Sequence, residues 1–170
     1  MSTSTSAPVR EATVADVPDI LRLITELAVY EREPDAVEAT VESLSAALFP
    51  ADGAPTAFCH VAEVDGPQGR RVVGMALWFL TFSTWTGRNG IWLEDLFVLP
   101  PHRGSGLGKA LLAALAQECV ARGLPRLEWT VLDWNTPSLE FYRSLGAVPM
   151  DDWTTHRLTG DALARLGASR

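Results

Sequence analysis

The spacing of apolar positions changes several times along the chain, and each change predicts a new element. Val9-Arg-Glu-Ala12 reads as a short strand. Asp16-Val-Pro18 then opens a helix, because Asp16 suits an N-cap and Pro18 fits a first turn that does not need its N–H. Ile20, Leu21, Ile24, Leu27 and Ala28 recur at helical spacing until Tyr30-Glu31, ahead of Pro34. Val37, Val41, Leu44 and Leu48 share one face of a second helix predicted over 35–48. The period then shortens. Residues 57–64 and 71–82 are rich in β-branched and aromatic side chains and read as strands joined by the loop Asp65-Gly-Pro-Gln-Gly69. Residues 91–98 form a further strand. A helix over 106–122 is closed by Gly123, a strand covers 126–132, and a helix over 137–145 is closed by Gly146. A last strand over 153–158 and a short helix over 161–166 complete the pattern. The order β-α-α-β-β-β-α-β-α-β is neither a simple βαβ alternation nor two separate blocks, and it predicts a mixed sheet with helices on both faces.

Composition narrows the class. At 170 residues the chain fits one domain, expected over 8–170, with 1–7 as a short disordered tail that has neither a basic nor an apolar leader region. The formal charge of −7 lacks the electrostatic footprint of a nucleic-acid binder; it is compatible with a cationic small substrate, although ordinary acidic solubility is the favoured explanation. Cys59 and Cys119 sit in apolar surroundings and read as buried, reduced thiols of a cytoplasmic protein. No apolar run approaches the roughly 20 residues of a membrane span, so no membrane partner is expected. His60, His102 and His156 have no metal-ligand spacing, and no metal is expected.

Three segments carry candidate chemistry. The first is Arg103-Gly104-Ser105-Gly106-Leu107-Gly108-Lys109, which follows a strand and the stop Pro100-Pro101. A glycine-rich turn entering a helix offers unpaired N–H groups and the positive end of the helix dipole, both of which favour a phosphate. Neither a Walker-type ending nor a Rossmann-type acidic partner accompanies it. The second is Glu94-Asp95. Neighbours in a regular strand point to opposite faces, so at least one carboxylate is expected to turn inward and gain proton affinity. The third is Asp133-Trp-Asn135-Thr-Pro-Ser138 with Phe141-Tyr142, where Asn135 reads as a helix cap and Tyr142 as a packed ring with a hydrogen-bonded hydroxyl.

Taken together, Trp92-Leu-Glu-Asp-Leu-Phe-Val98, the Arg-Gly-x-Gly-x-Gly loop, Val131-Leu-Asp-Trp-Asn135 and Phe141-Tyr-Arg-Ser-Leu-Gly-Ala147 resemble the GNAT superfamily of N-acetyltransferases. Within it they resemble the diamine (spermidine/spermine-type) group, closest to its thialysine N-epsilon-acetyltransferase branch, and Leu21 to Glu31 matches that group's first helix. The resemblance implies an α/β (α+β) fold with a mixed, mostly antiparallel sheet. It also implies acetyl-CoA as cosubstrate, a small diamine or a side-chain-amine amino acid as acceptor, direct attack in a ternary complex, and a homodimer. The loop 103–109 would hold the pyrophosphate, Leu96, Phe97 and Val98 the pantetheine arm, and Asn135, Ser138 and Tyr142 further parts of the cofactor. Tyr142 falls on the leaving-group acid and Glu94 on the water-linked general base. Glu94, Asp95 and Glu31 fall on the amine-binding acids, with Tyr30 and Trp85 as aromatic walls. Polyamine-type members carry Asp-Pro before the tryptophan; here Ser83-Thr84 stand there, as in the thialysine branch. The alternatives are another amine (a polyamine, an aminoglycoside or a protein N-terminus) and a non-catalytic acyl-CoA sensor.

Overall fold

The structure, a computed structural model, describes residues 8–169; the expected tail over 1–7 lies outside them. Contacts divide the chain after Thr130 into two units.

The first unit is built on five strands in the order β1 (Val9–Glu11), β2 (Phe58–Gly66), β3 (Gly69–Ser83), β4 (Arg88–Val98) and β5 (Leu127–Trp129). The first three pairings are antiparallel, and β4 pairs with β5 in parallel. Its helices are α1 (Val17–Tyr30), α2 (Val41–Leu48) and α3 (Leu107–Arg122). The predicted hairpin loop tightens to a two-residue turn, since Gly66 pairs with Gly69.

Side-chain alternation gives the sheet two apolar faces. Cys59, Val61, Met75, Leu77 and Phe97 form one core with Ile20 and Leu23 of α1 and Leu48 of α2. On the other face, α3 buries Leu107, Leu111, Leu115 and Cys119, and Arg122 lies over the Trp78 ring at 5.9 Å. Burying this many aliphatic side chains, at roughly 1.5–3 kcal/mol each, is the main drive for folding.

Local polar chemistry sets the element ends. Asp16 does not cap α1 directly. Its carboxylate takes both Arg10 guanidinium N–H groups at 2.8 and 2.9 Å and the Thr13 N–H at 2.7 Å, closing the turn Val14–Asp16 that leads into the helix. The Arg10 bonds, helped by Thr13, hold the Asp16 carboxyl down at about 2. The second helix is shorter than predicted because Thr40 and Ser43 cap each other: Ser43 N–H donates to Thr40 Oγ1 and Thr40 N–H to Ser43 Oγ.

The second unit contains α4 (Thr136–Ser144) and α5 (Gly160–Ala168). The strand expected over 153–158 is not formed: no ladder pairs it, and Trp153 is exposed. A single short run with β propensity and no partner cannot hold a strand. No helix among the described residues is long and apolar enough to cross a membrane.

Candidate active site

Three carboxylates meet where α1 ends beside β4. Glu31 follows the last residue of α1, its N–H donating to the Leu27 carbonyl at 2.8 Å. Arg32 then takes the left-handed conformation (φ 67°), and Glu33 N–H closes back on Ala28 O at 2.9 Å. A residue with a Cβ costs about 1 kcal/mol in that conformation, which the closing bonds offset. The turn stops the helix sharply and leaves Glu31 facing the sheet-side acids.

The other two acids stand on β4, and here the structure corrects the expectation from alternation. The register pairs Leu77 with Asp95 and the next residue, Trp78, with Leu93, so Glu94 is the extra residue of a β-bulge. Asp95 shares the Leu77 face. Trp92, which faces the Phe79 ring at 6.5 Å, lies on that face too, and its indole N–H donates to Glu94 Oε2 at 2.9 Å. Both carboxylates therefore turn toward the α1 side instead of opposing each other. Burial, together with the negative charges of Glu94 and Glu31, pushes the Asp95 carboxyl up to about 6. Burial also raises Glu31. Trp92 is the residue that sequence reasoning missed; an aromatic in a strand reads as core, and only the bulge reveals its polar task.

Beyond the acids, β5 pairs only with residues 91–93 of β4, so the strand edge from Glu94 to Val98 has a ladder on the β3 side alone. The chain then makes the turn Pro100–His102 and enters the glycine loop. Gly104 (φ 76°) and Gly106 (φ 88°) take conformations that side chains resist, and Ser105 Oγ–H donates to His102 O at 2.6 Å. The first helical N–H of α3 to bond back is that of Ala110, to Gly106 O at 2.9 Å. Those of Leu107, Gly108 and Lys109 face out of the helix end, the arrangement that suits a phosphate.

Arg103 opens this loop. Its Nε–H donates to the Val98 carbonyl at 2.9 Å, and its guanidinium lies 4.6 Å from the Tyr30 ring centre and 5.3 Å from that of Phe97. The Val98 carbonyl that accepts this bond belongs to the segment expected to serve the pantetheine arm. Trp85 is 91% exposed in the turn between Ser83 and Arg88, a pair that stands six residue pairs along the ladder from Leu77–Asp95, or about 20 Å at strand rise.

In the second unit, Asn135 Oδ1 accepts the Ser138 N–H at 3.4 Å and caps α4 as expected. Tyr142 lies on α4 with its ring 5.4 Å from that of Phe141, and its carbonyl accepts the N–H groups of Leu145 and Ala147 at 3.1 and 3.2 Å.

Residues 19–147 match the Acetyltransferase (GNAT) family. The chain belongs to that family. A thialysine N-epsilon-acetyltransferase of Bos taurus is 39% identical over 93% of this chain and 95% of its own. An L-ornithine acetyltransferase of Arabidopsis thaliana is 31% identical over 93% and 86%. Among solved structures, an integron cassette protein from V. cholerae superposes with a TM-score of 0.76 at 24% identity, covering 95% of this chain and 97% of that one, which supports the fold. The protein is therefore an N-acetyltransferase of the GNAT fold, with relatives of the thialysine and polyamine type.

Two groups of this acetyltransferase lie apart from the acid cluster. Glu11, His60 and Glu118 bring one potential donor atom each within 4.8 Å of the others. His60 Nδ1, however, accepts the Trp78 indole N–H at 3.2 Å, which leaves the ring hydrogen on Nε2. A metal-bound imidazole has the opposite polarity, donating from its second nitrogen. His60 is thus a packed histidine, and burial lowers its proton affinity. Cys59 is buried, and desolvation pushes its thiol up to about 12; burial raises Cys119 as well. Neither is a thiolate nucleophile at neutral pH.

Proposed function

We propose that the chain moves the acetyl group of acetyl-CoA to the primary amine of a small cationic acceptor, either a diamine or an amino acid with a side-chain amine. The observation that carries this reading is the gathering of Glu31, Glu94 and Asp95 on one face. Three carboxylates repel one another and suit an ammonium group as fourth member. The acceptors named for the bovine and Arabidopsis relatives are of that kind. Ser83, in place of the polyamine-type acid, favours the amino acid.

The proposed roles follow from charge and reach. An amine of lysine type has a pKa near 10.4 and arrives protonated. Asp95 and Glu31 hold the ammonium. Glu94, oriented by Trp92 and open to solvent, takes its proton through water. Acetyl-CoA supplies the thioester, its pyrophosphate at the N–H groups of 104–109 near Lys109, its pantetheine along Leu96 and Phe97, and further contacts at Asn135 and Ser138. The amine nitrogen bonds to the carbonyl carbon, a backbone N–H near Leu96 stabilises the oxyanion, and the carbon–sulfur bond breaks. Tyr142 gives its proton to the departing sulfur, the new amide nitrogen sheds its second proton to solvent, and Tyr142 regains a proton from solvent before the next turnover. The inert thiols support direct attack without an acyl-enzyme. The same reading includes a cytoplasmic homodimer, for which the exposed Val148, Met150 and Trp153 offer apolar surface.

The deciding experiment is thiol release from acetyl-CoA across thialysine, lysine, ornithine, putrescine, spermidine and spermine. The amino acids are expected to turn over faster than spermidine. The reverse order assigns a polyamine, and coenzyme A binding with no turnover on any amine supports the sensor. A second expectation concerns orientation of the base. Trp92→Phe removes one hydrogen bond to a charged acceptor, so kcat is expected to fall about tenfold with both KM values within about twofold. An unchanged kcat would leave Trp92 a packing residue only.

A further inference from the structure

We propose that Arg103 is a positioning residue for the amine acceptor, not a ligand of the cofactor's pyrophosphate, an inference that rests on the acetyl-CoA and amine reading above. The guanidinium touches one residue beside each fixed acid. Tyr30, 4.6 Å away, immediately precedes Glu31, and Phe97, 5.3 Å away, is two residues from Asp95 on the same face of β4. The Nε–H bond to Val98 O fixes the base of the side chain to the same strand. One planar cation thus clamps the end of α1 to β4 at the level where the acids meet.

Only arginine has this combination: a flat face that stacks on aromatic rings and a rigid in-plane donor. Its pose uses the face on the rings and Nε–H on a carbonyl of the same strand, which fixes the plane of the group while its terminal N–H groups stay on the rim. The pyrophosphate does not need it, because the outward N–H groups of Leu107, Gly108 and Lys109 and the Lys109 ammonium stand at the same loop. Arg103 begins that loop. A cofactor that orders the loop therefore steadies Tyr30 and Glu31, and acceptor affinity rises with cofactor bound; by linkage the reverse holds equally.

The test compares Arg103→Lys, which keeps the charge but loses the plane and the Nε donor, with Arg103→Gln, both in the full chain. Coenzyme A affinity is read by calorimetry, KM for the best acceptor by thiol release, and folding by thermal melts. Both variants are expected to bind coenzyme A within about threefold of wild type while acceptor KM rises about tenfold or more. Tyr30→Leu is expected to produce the same rise, and adding Arg103→Gln to it should change little more, since the two residues act as a unit. Coenzyme A binding weakened about tenfold in Arg103→Gln and rescued in Arg103→Lys, with acceptor KM unchanged, makes Arg103 a phosphate ligand and overturns the proposal. Equal losses in both constants overturn it too. Wild-type protein that binds no coenzyme A removes the reading beneath it, and is seen before any variant is compared.

Discussion

Asp95→Asn is expected to lower kcat/KM for the amine by about two to three orders of magnitude, the cost of removing one partner from a desolvated ion pair. Coenzyme A affinity should hold within about twofold, because the loop N–H groups do not involve Asp95. The same substitution should make the free protein more stable at neutral pH. The folded Asp95 carboxyl sits at about 6 against an ordinary 3.8, raised by burial and then by Glu94 and Glu31. The folded state thus holds this proton more tightly than the unfolded one, and stability falls as pH rises between the two values. Above about 6 the full penalty is present, of the order of 3 kcal/mol; below about 4 it is gone. Asparagine carries no charge at either pH. Melts at pH 7.5 should therefore show the variant several degrees higher, and melts near pH 4 no difference. Wild-type kcat/KM should also lose activity on an acid limb near pH 6, as Asp95 in the free enzyme is protonated. A variant that is less stable at pH 7.5 yet fully active would make Asp95 a structural acceptor and sink its role toward the amine.

Asp95 also shows where sequence reading stops. Apolar period located α1, the long strands β2 to β4 and α3 closely, since each buries one regular stripe. It erred where a side chain overrode the period. The second helix begins at Val41, not near Asp35, because the mutual cap of Thr40 and Ser43 sets its start. The run 153–158 has strand composition without a partner edge, and pairing is a property of two segments. At the acids, strict alternation placed Glu94 and Asp95 on opposite faces. One extra residue in the ladder reverses that, and no feature of Leu93-Glu-Asp-Leu96 announces a bulge. Glu31 and Asp95 are 64 positions apart, so their meeting was legible only through resemblance. The glycine loop was legible from residues alone, because its positive φ angles demand glycine. Arg103 was assigned to phosphate through the resemblance, and its aromatic partner at Tyr30 lies in a distant helix.

Tyr142→Phe tests the other end of the reaction. The substitution removes a hydroxyl and keeps the ring that faces Phe141, while the backbone bonds that end α4 at the Tyr142 carbonyl are untouched. Folding should therefore be unaffected. In its proposed role as general acid to the departing sulfur, the hydroxyl would act in the transition state only, so kcat is expected to drop about a hundredfold with little change in either KM. Full activity at every pH would remove Tyr142 as the acid and leave solvent to protonate the thiolate. In the proposed mechanism the two large substitutions bear on different atoms, Asp95 on the ammonium and Tyr142 on the sulfur. In a direct transfer within one ternary complex, their effects on kcat/KM should multiply in the double variant, as they do for residues that share no partner. A marked shortfall from that product would mean that the two groups share one step: the proton leaving the amine then reaches the sulfur along a connected path, instead of passing to solvent at Glu94.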